Sequence, residues 1–150
     1  MRQISAILLS MFLFAAADAW GLGCTVTTSS VQFNAYSSIS QTLSDGIGEV
    51  RVTCDSNLPF AVKLDPGANS GGAFIPRRMR RTGGSDTLIY NLFRDAARTE
   101  VWGDGTGSTF SRAGSGTGIP TVLTIYGRTP GQQTVPAGTY LDAVTVLVEW

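Results

Sequence analysis

The stretch 140–150, Y-L-D-A-V-T-V-L-V-E-W, with which the sequence closes, constrains the fold more than any other segment. Val144, Val146, Val148 and Trp150 alternate with Thr145, Leu147 and Glu149, and a period of two puts each set on one face of a sheet. The pattern predicts a core strand with nothing after it. A sandwich that stops on such a strand either finds its next neighbour earlier in the chain or lacks one. In the second case it needs backbone from another polypeptide.

The remainder of the chain reads as strands separated by turns. Glycine is frequent (18 residues) and clusters with Ser, Asp and Thr at 67–72, 83–86 and 103–118, which mark turns. Between them lie segments rich in Val, Ile, Thr, Phe or Tyr at 24–33, 49–54, 60–64, 88–93, 121–126 and 141–150, each with strand character. Beyond the N-terminal segment only 95–98 could form a helical turn. Short strands in this number predict an all-β, immunoglobulin-like antiparallel sandwich. At 150 residues the chain holds one domain and no interdomain linker.

The first residues have a separate role. Arg2 precedes an apolar run, and Ala17-Asp18-Ala19 fits a small-x-small cleavage site, so 1–19 is expected to be a signal peptide and the mature domain, 20–150, to begin at Trp20. The run is too short and too interrupted for an anchor, and no membrane span is expected in the mature chain. Removing the leader takes away Arg2 and Asp18, one charge of each sign, from a formally neutral chain. Net charge by itself therefore points to no polyanion partner, and no nucleic acid partner is expected. The two cysteines, Cys24 and Cys54, both fall in the exported part, and an even count in an oxidising compartment argues for one disulfide.

Catalytic chemistry finds little to use. The chain has no histidine, which removes the usual general base of a nucleophilic triad and the commonest nitrogen ligand of zinc. Asp55, Asp65, Asp86, Asp95, Asp104 and Asp142 could supply a glycosidase pair, but nothing in the sequence pairs them, and Asp55, Asp86 and Asp104 stand beside Gly or Ser, where an Asp satisfies a turn. Gly103-Asp104-Gly105-Thr106-Gly107 offers one carboxylate where a calcium loop needs several. No enzyme activity, metal or cofactor is expected. Arg77, Arg78, Arg80 and Arg81 form the densest charge in the chain. They are candidate surface contacts for an anionic sugar or phosphate, or alternatively a solvated edge that discourages aggregation. Trp102 could stack on a sugar ring or belong to the core.

Several local runs resemble the spore coat protein U domain family, the pilin-like subunits of archaic chaperone–usher pili. They are Cys24-Thr25-Val26, Arg78-Met79, Tyr90-Asn91-Leu92-Phe93-Arg94-Asp95, Val101-Trp102-Gly103-Asp104-Gly105, Ile125-Tyr126-Gly127-Arg128 and Pro136-Ala137-Gly138-Thr139-Tyr140-Leu141-Asp142. The resemblance spans nearly the whole mature chain. It implies a sandwich without its last strand, a disulfide between Cys24 and Cys54, a periplasmic chaperone that lends a strand, an outer-membrane usher, and neighbouring pilin subunits in a fibre or coat on a Gram-negative cell. Val144, Val146, Val148 and Trp150 are then candidates for one wall of the acceptor groove. Leaving about five apolar side chains uncovered forfeits roughly 7–15 kcal/mol, as much as a typical domain's whole stability.

One departure from that pattern matters. A donor arm must run the length of a strand at about 3.3 Å per residue, yet only Trp20, Gly21, Leu22 and Gly23 separate the expected cleavage site from Cys24. The subunit is expected to accept a strand without donating one, as a tip or terminal subunit does. The competing expectation is a self-contained carbohydrate-binding module that uses Trp102, the arginines and the glycine-rich loop.

Overall fold

The computed structural model describes residues 21–150; the expected leader, with Ala17, Ala19 and Trp20, lies outside the described residues. Nine strands and no helix are present among those residues: β1 (Cys24–Phe33), β2 (Ser44–Cys54), β3 (Pro59–Leu64), β4 (Arg77–Arg81), β5 (Thr87–Phe93), β6 (Arg112–Ser115), β7 (Thr121–Thr129), β8 (Tyr140–Leu141) and β9 (Val146–Glu149). They form a six-stranded sheet in the order β1-β2-β7-β5-β4-β8 and a three-stranded sheet in the order β6-β3-β9. Every pairing between these strands is antiparallel.

Alternation builds the core. Val50, Val52 and Cys54 of β2 point inward, as do Phe60, Val62 and Leu64 of β3 and Leu88, Tyr90 and Leu92 of β5. Met79, Trp102 and Ile125 complete the buried cluster. In the β1–β2 ladder Cys24 stands directly opposite Cys54, and the two form a disulfide.

Two expected turn or surface segments are strands. The arginine run is β4, paired with β5 along its length and with β8 at its end. Its period of two sends Arg77 and Met79 into the interior, so Arg77 is corrected from surface contact to buried residue. The glycine-rich segment 103–118 contains β6, which lies along β3. Gly114 lets it do so, because a Cβ there would lie 2.6 Å from the Phe60 ring.

The expected strand 141–150 is also broken in two. Residues 142–145 carry the chain from the six-stranded sheet, where β8 pairs with β4, to the three-stranded sheet, where β9 pairs with β3. Asp142 fixes that crossing. Its carboxylate accepts hydrogen bonds from the Ala68 N–H (3.0 Å), the Asn69 amide (2.8 Å) and the Tyr90 hydroxyl. Gly67 passes so close, with φ of 86°, that a side chain there would meet the carboxylate. Replacing both Cys24 and Cys54 by serine is expected to cost about 3–4 kcal/mol for a closed loop of this size, read as a lower urea midpoint.

Candidate functional site

A groove of about 660 Å³ runs between β1 and the segment that leads through β8 into β9. Its first wall is the second half of β1 with the turn after it, residues 28–36; its opposite wall is residues 138–144 with Val146. The floor is apolar over most of its extent: Leu64, Met79, Leu88, Tyr90, Leu92 and Ile125. Both bounding strands are sheet edges. Among the described residues β1 pairs only with β2, and β9 only with β3, so each presents unpaired backbone along one side.

Glycines seat the first wall. The β1–β2 register slips between Ser29 and Gln32, and beyond the slip the side chains of Val31 and Phe33 lie over Gly46, Gly48 and Gly127. A Cβ at Gly127 would lie 2.7 Å from the Phe33 ring and 2.8 Å from Val31, and one at Gly48 would lie 2.8 Å from Val31. Phe33 in turn meets Tyr90 edge-on, with ring centroids 6.0 Å apart, so the edge strand supplies part of the groove's apolar lining.

The residues predicted for the wall divide. Val144, Val146 and Val148 turn toward the core and Leu147 turns out, 51 % exposed. Val144 and Val146 line the groove. Val148 packs against the core outside the groove lining, and Trp150, 60 % exposed, lies beyond the last β3 pairing at Glu149. Trp150 is thus corrected as a wall residue, because the ladder that would fix its direction has ended.

Tyr90 and Arg77 supply the polar support beneath the groove. Burial and the adjoining Asp142 carboxylate push the Tyr90 hydroxyl far above the ordinary phenol value, which keeps it a hydrogen-bond donor. Arg77 is fully buried and donates to the Asp65 carbonyl (3.1 and 2.8 Å) and the Trp102 carbonyl (2.7 Å). Burial also draws the Arg77 pKa below the usual guanidinium value. It thereby ties the end of β3 to the loop after β5. Trp102 itself is 0 % exposed and donates its indole N–H to Val62 (3.0 Å), so it is core and is not available to stack on a sugar.

The carboxylates do not converge on a catalytic arrangement. Asp95 and Asp104 close their own turns through Thr99 and Thr106, and Asp45 is shared by Arg128 and Arg98. No group of three or more His, Cys, Asp or Glu side chains suited to a metal occurs among the described residues. No helix there is long and apolar enough to cross a membrane.

An immunoglobulin-like sandwich, one disulfide and an open apolar groove agree with what comparison with known proteins finds. The sequence profile of the Spore Coat Protein U domain family matches residues 10–147. The chain belongs to this family. Protein U of Myxococcus xanthus is 36 % identical over 109 residues, which cover 69 % of this chain and 59 % of that protein; the chain therefore spans a little over half the length of its curated relative. Among solved structures, the chaperone–tip adhesion subunit pre-assembly complex of CsuC and CsuE, from the archaic chaperone–usher Csu pili of Acinetobacter baumannii, has a similar fold. The TM-score is 0.63 at 22 % identity, covering 86 % of this chain and 40 % of that one.

Sequence reasoning missed the groove's floor and its glycine bed. The alternation of Leu88, Tyr90 and Leu92 and the three glycines in otherwise extended β2 and β7 were the available signals. Gly127→Val is expected to lift Val31 and Phe33 from their bed and to destabilise the protein by about 1–3 kcal/mol, measured by urea unfolding. An unchanged midpoint would contradict the seating described here.

Proposed function

We propose that this member of the Spore Coat Protein U domain family is an exported, non-enzymatic structural or adhesive subunit of a surface fibre or coat, completed by a β-strand from another polypeptide. The observation that carries the reading is the groove: an apolar floor bounded by two sheet edges with unpaired backbone. A strand laid between them gains hydrogen-bonding partners on both sides and covers the floor, which is the chemistry of β-strand addition. The resemblance in fold to a subunit described in a chaperone-bound pre-assembly complex supports a periplasmic chaperone as the first donor. An outer-membrane usher and neighbouring pilin subunits of a Gram-negative cell follow on the same reading.

The position in the assembly rests on the expected cleavage after Ala19. Residues 20–23 then precede Cys24, a reach of roughly 13 Å at about 3.3 Å per residue, too short to fill a neighbour's groove. We read the subunit as an acceptor at the tip or end of a fibre. N-terminal sequencing of the exported protein checks the premise, and finding the protein repeated along the shaft would remove the conclusion.

The completion itself is tested by a thermal melt of the exported chain with and without a synthetic peptide of a dozen residues alternating apolar and polar side chains. A peptide at about one hundred times its Kd should add about 2.7 kcal/mol of stability. A chain that melts identically with and without peptide, and that is recovered as a stable monomer without a chaperone, would overturn the proposal.

A further inference from the structure

Charge pairing on the surface leaves two cations without a carboxylate partner among the described residues. Arg51, Lys63, Arg81, Arg94, Arg98 and Arg128 each face a carboxylate within 4 Å. Arg77 is buried on carbonyls and Arg112 lies over the Trp102 ring. Arg78 and Arg80 have no carboxylate partner among the described residues; Arg80 donates only to the Gly84 carbonyl (2.9 Å). Both sit on the outer face of β4, two residues apart, hence about 6.6 Å along the strand.

Protection of a sheet edge does not account for Arg80, because β4 is paired at that residue on both sides, with Thr87 and with Leu141. Beside it lies a shallow depression of about 510 Å³ lined by Arg80, Arg81, Asn69, Gly83, Gly84 and Leu141, with no carboxylate among them. Leu141, the cross-strand neighbour of Arg80, is 61 % exposed. The depression therefore offers the Arg80 guanidinium, glycine backbone and one aliphatic surface side by side.

We propose that this face of β4 and the hairpin after it bind an acidic polysaccharide through its uronate carboxylates. Arg80 takes one carboxylate in a two-pronged hydrogen bond, Leu141 packs against the sugar ring, and Arg78 meets the next anionic residue of the polymer. The aliphatic lining and the absence of an aromatic platform favour a carboxylated sugar over single-stranded nucleic acid, whose bases are held by stacking. The surface adjoins the strand-accepting groove at Leu141, which lines both, whereas Arg78 and Arg80 lie outside the groove's lining.

The test uses the full exported chain on immobilised polygalacturonate, with neutral dextran and single-stranded DNA as comparison probes. Retention at low salt on polygalacturonate and none on dextran is expected. The Arg78→Gln, Arg80→Gln double variant should bind roughly tenfold or more weakly, Leu141→Ser several-fold more weakly, and Arg51→Gln about as well as the parent, since Arg51 is already paired with Glu49. Thermal melts that overlay the parent's separate lost binding from lost folding. If the double variant does not fold, Arg78→Gln alone, at a partly exposed position of β4, carries the comparison. Undiminished retention of the arginine variants, failure of the parent to bind polygalacturonate, or tighter binding to single-stranded DNA would overturn the assignment.

Discussion

Two strand edges flanking the apolar floor of the groove are the constraint from which the rest of the structure follows. β1 and β9 belong to different sheets, and among the described residues no strand pairs with the outer edge of either. The floor side chains are themselves at most 8 % exposed, so what the two edges leave open is chiefly unpaired backbone, a template for pairing. The chain covers the floor in part with its own edge strand. The disulfide holds one end of β1 to β2, and Val31 and Phe33 settle on glycine backbone further along, so that the edge strand itself covers some of the interior.

The attachment of β9 depends on a small polar cluster more than on its length. A four-residue strand paired on one side is marginal alone. It is positioned because Asp142 gathers three donors at the crossing between sheets, and because the Asp65 N–H bonds Thr145 and the Ala68 N–H bonds Ala143. Arg77 fastens the same corner from beneath through the carbonyls of Asp65 and Trp102. A rigid corner of this kind holds the groove's second wall in place while its free edge waits for a partner, which links the packing of the corner to the proposed function.

Much of the architecture was legible in the sequence because it rests on alternation. β1 occupies the expected 24–33, and the strands around Val50, Val62, Leu92 and Ile125 fall where their apolar period puts them. The failures have physical causes. β2 begins at Ser44, ahead of the expected 49, because Gly46 and Gly48 argue against a strand by propensity yet are needed for the close approach of β1. β4 was hidden by its arginines, since only tertiary structure supplies the carbonyls that let Arg77 go inside. β6 was hidden by small residues that make room for Phe60. The break at 142–145 is invisible in the alternation of the closing segment, because the partners of Asp142 come from residues 68, 69 and 90. The groove was anticipated as a vacancy, but its floor and first wall emerge only when β1 and β9 are brought across from each other.

Amide hydrogen exchange along β9 addresses the vacancy most directly, because it reads backbone pairing at the edge itself. In the chain alone, the amides of Val146–Glu149 that point away from β3 should exchange rapidly while those of β2 are protected; bound to a donated strand, the same β9 amides should slow by orders of magnitude with β2 little changed. Full protection of all β9 amides in the isolated chain, unaltered by a donor, would mean that the sandwich is already closed, and would contradict the account.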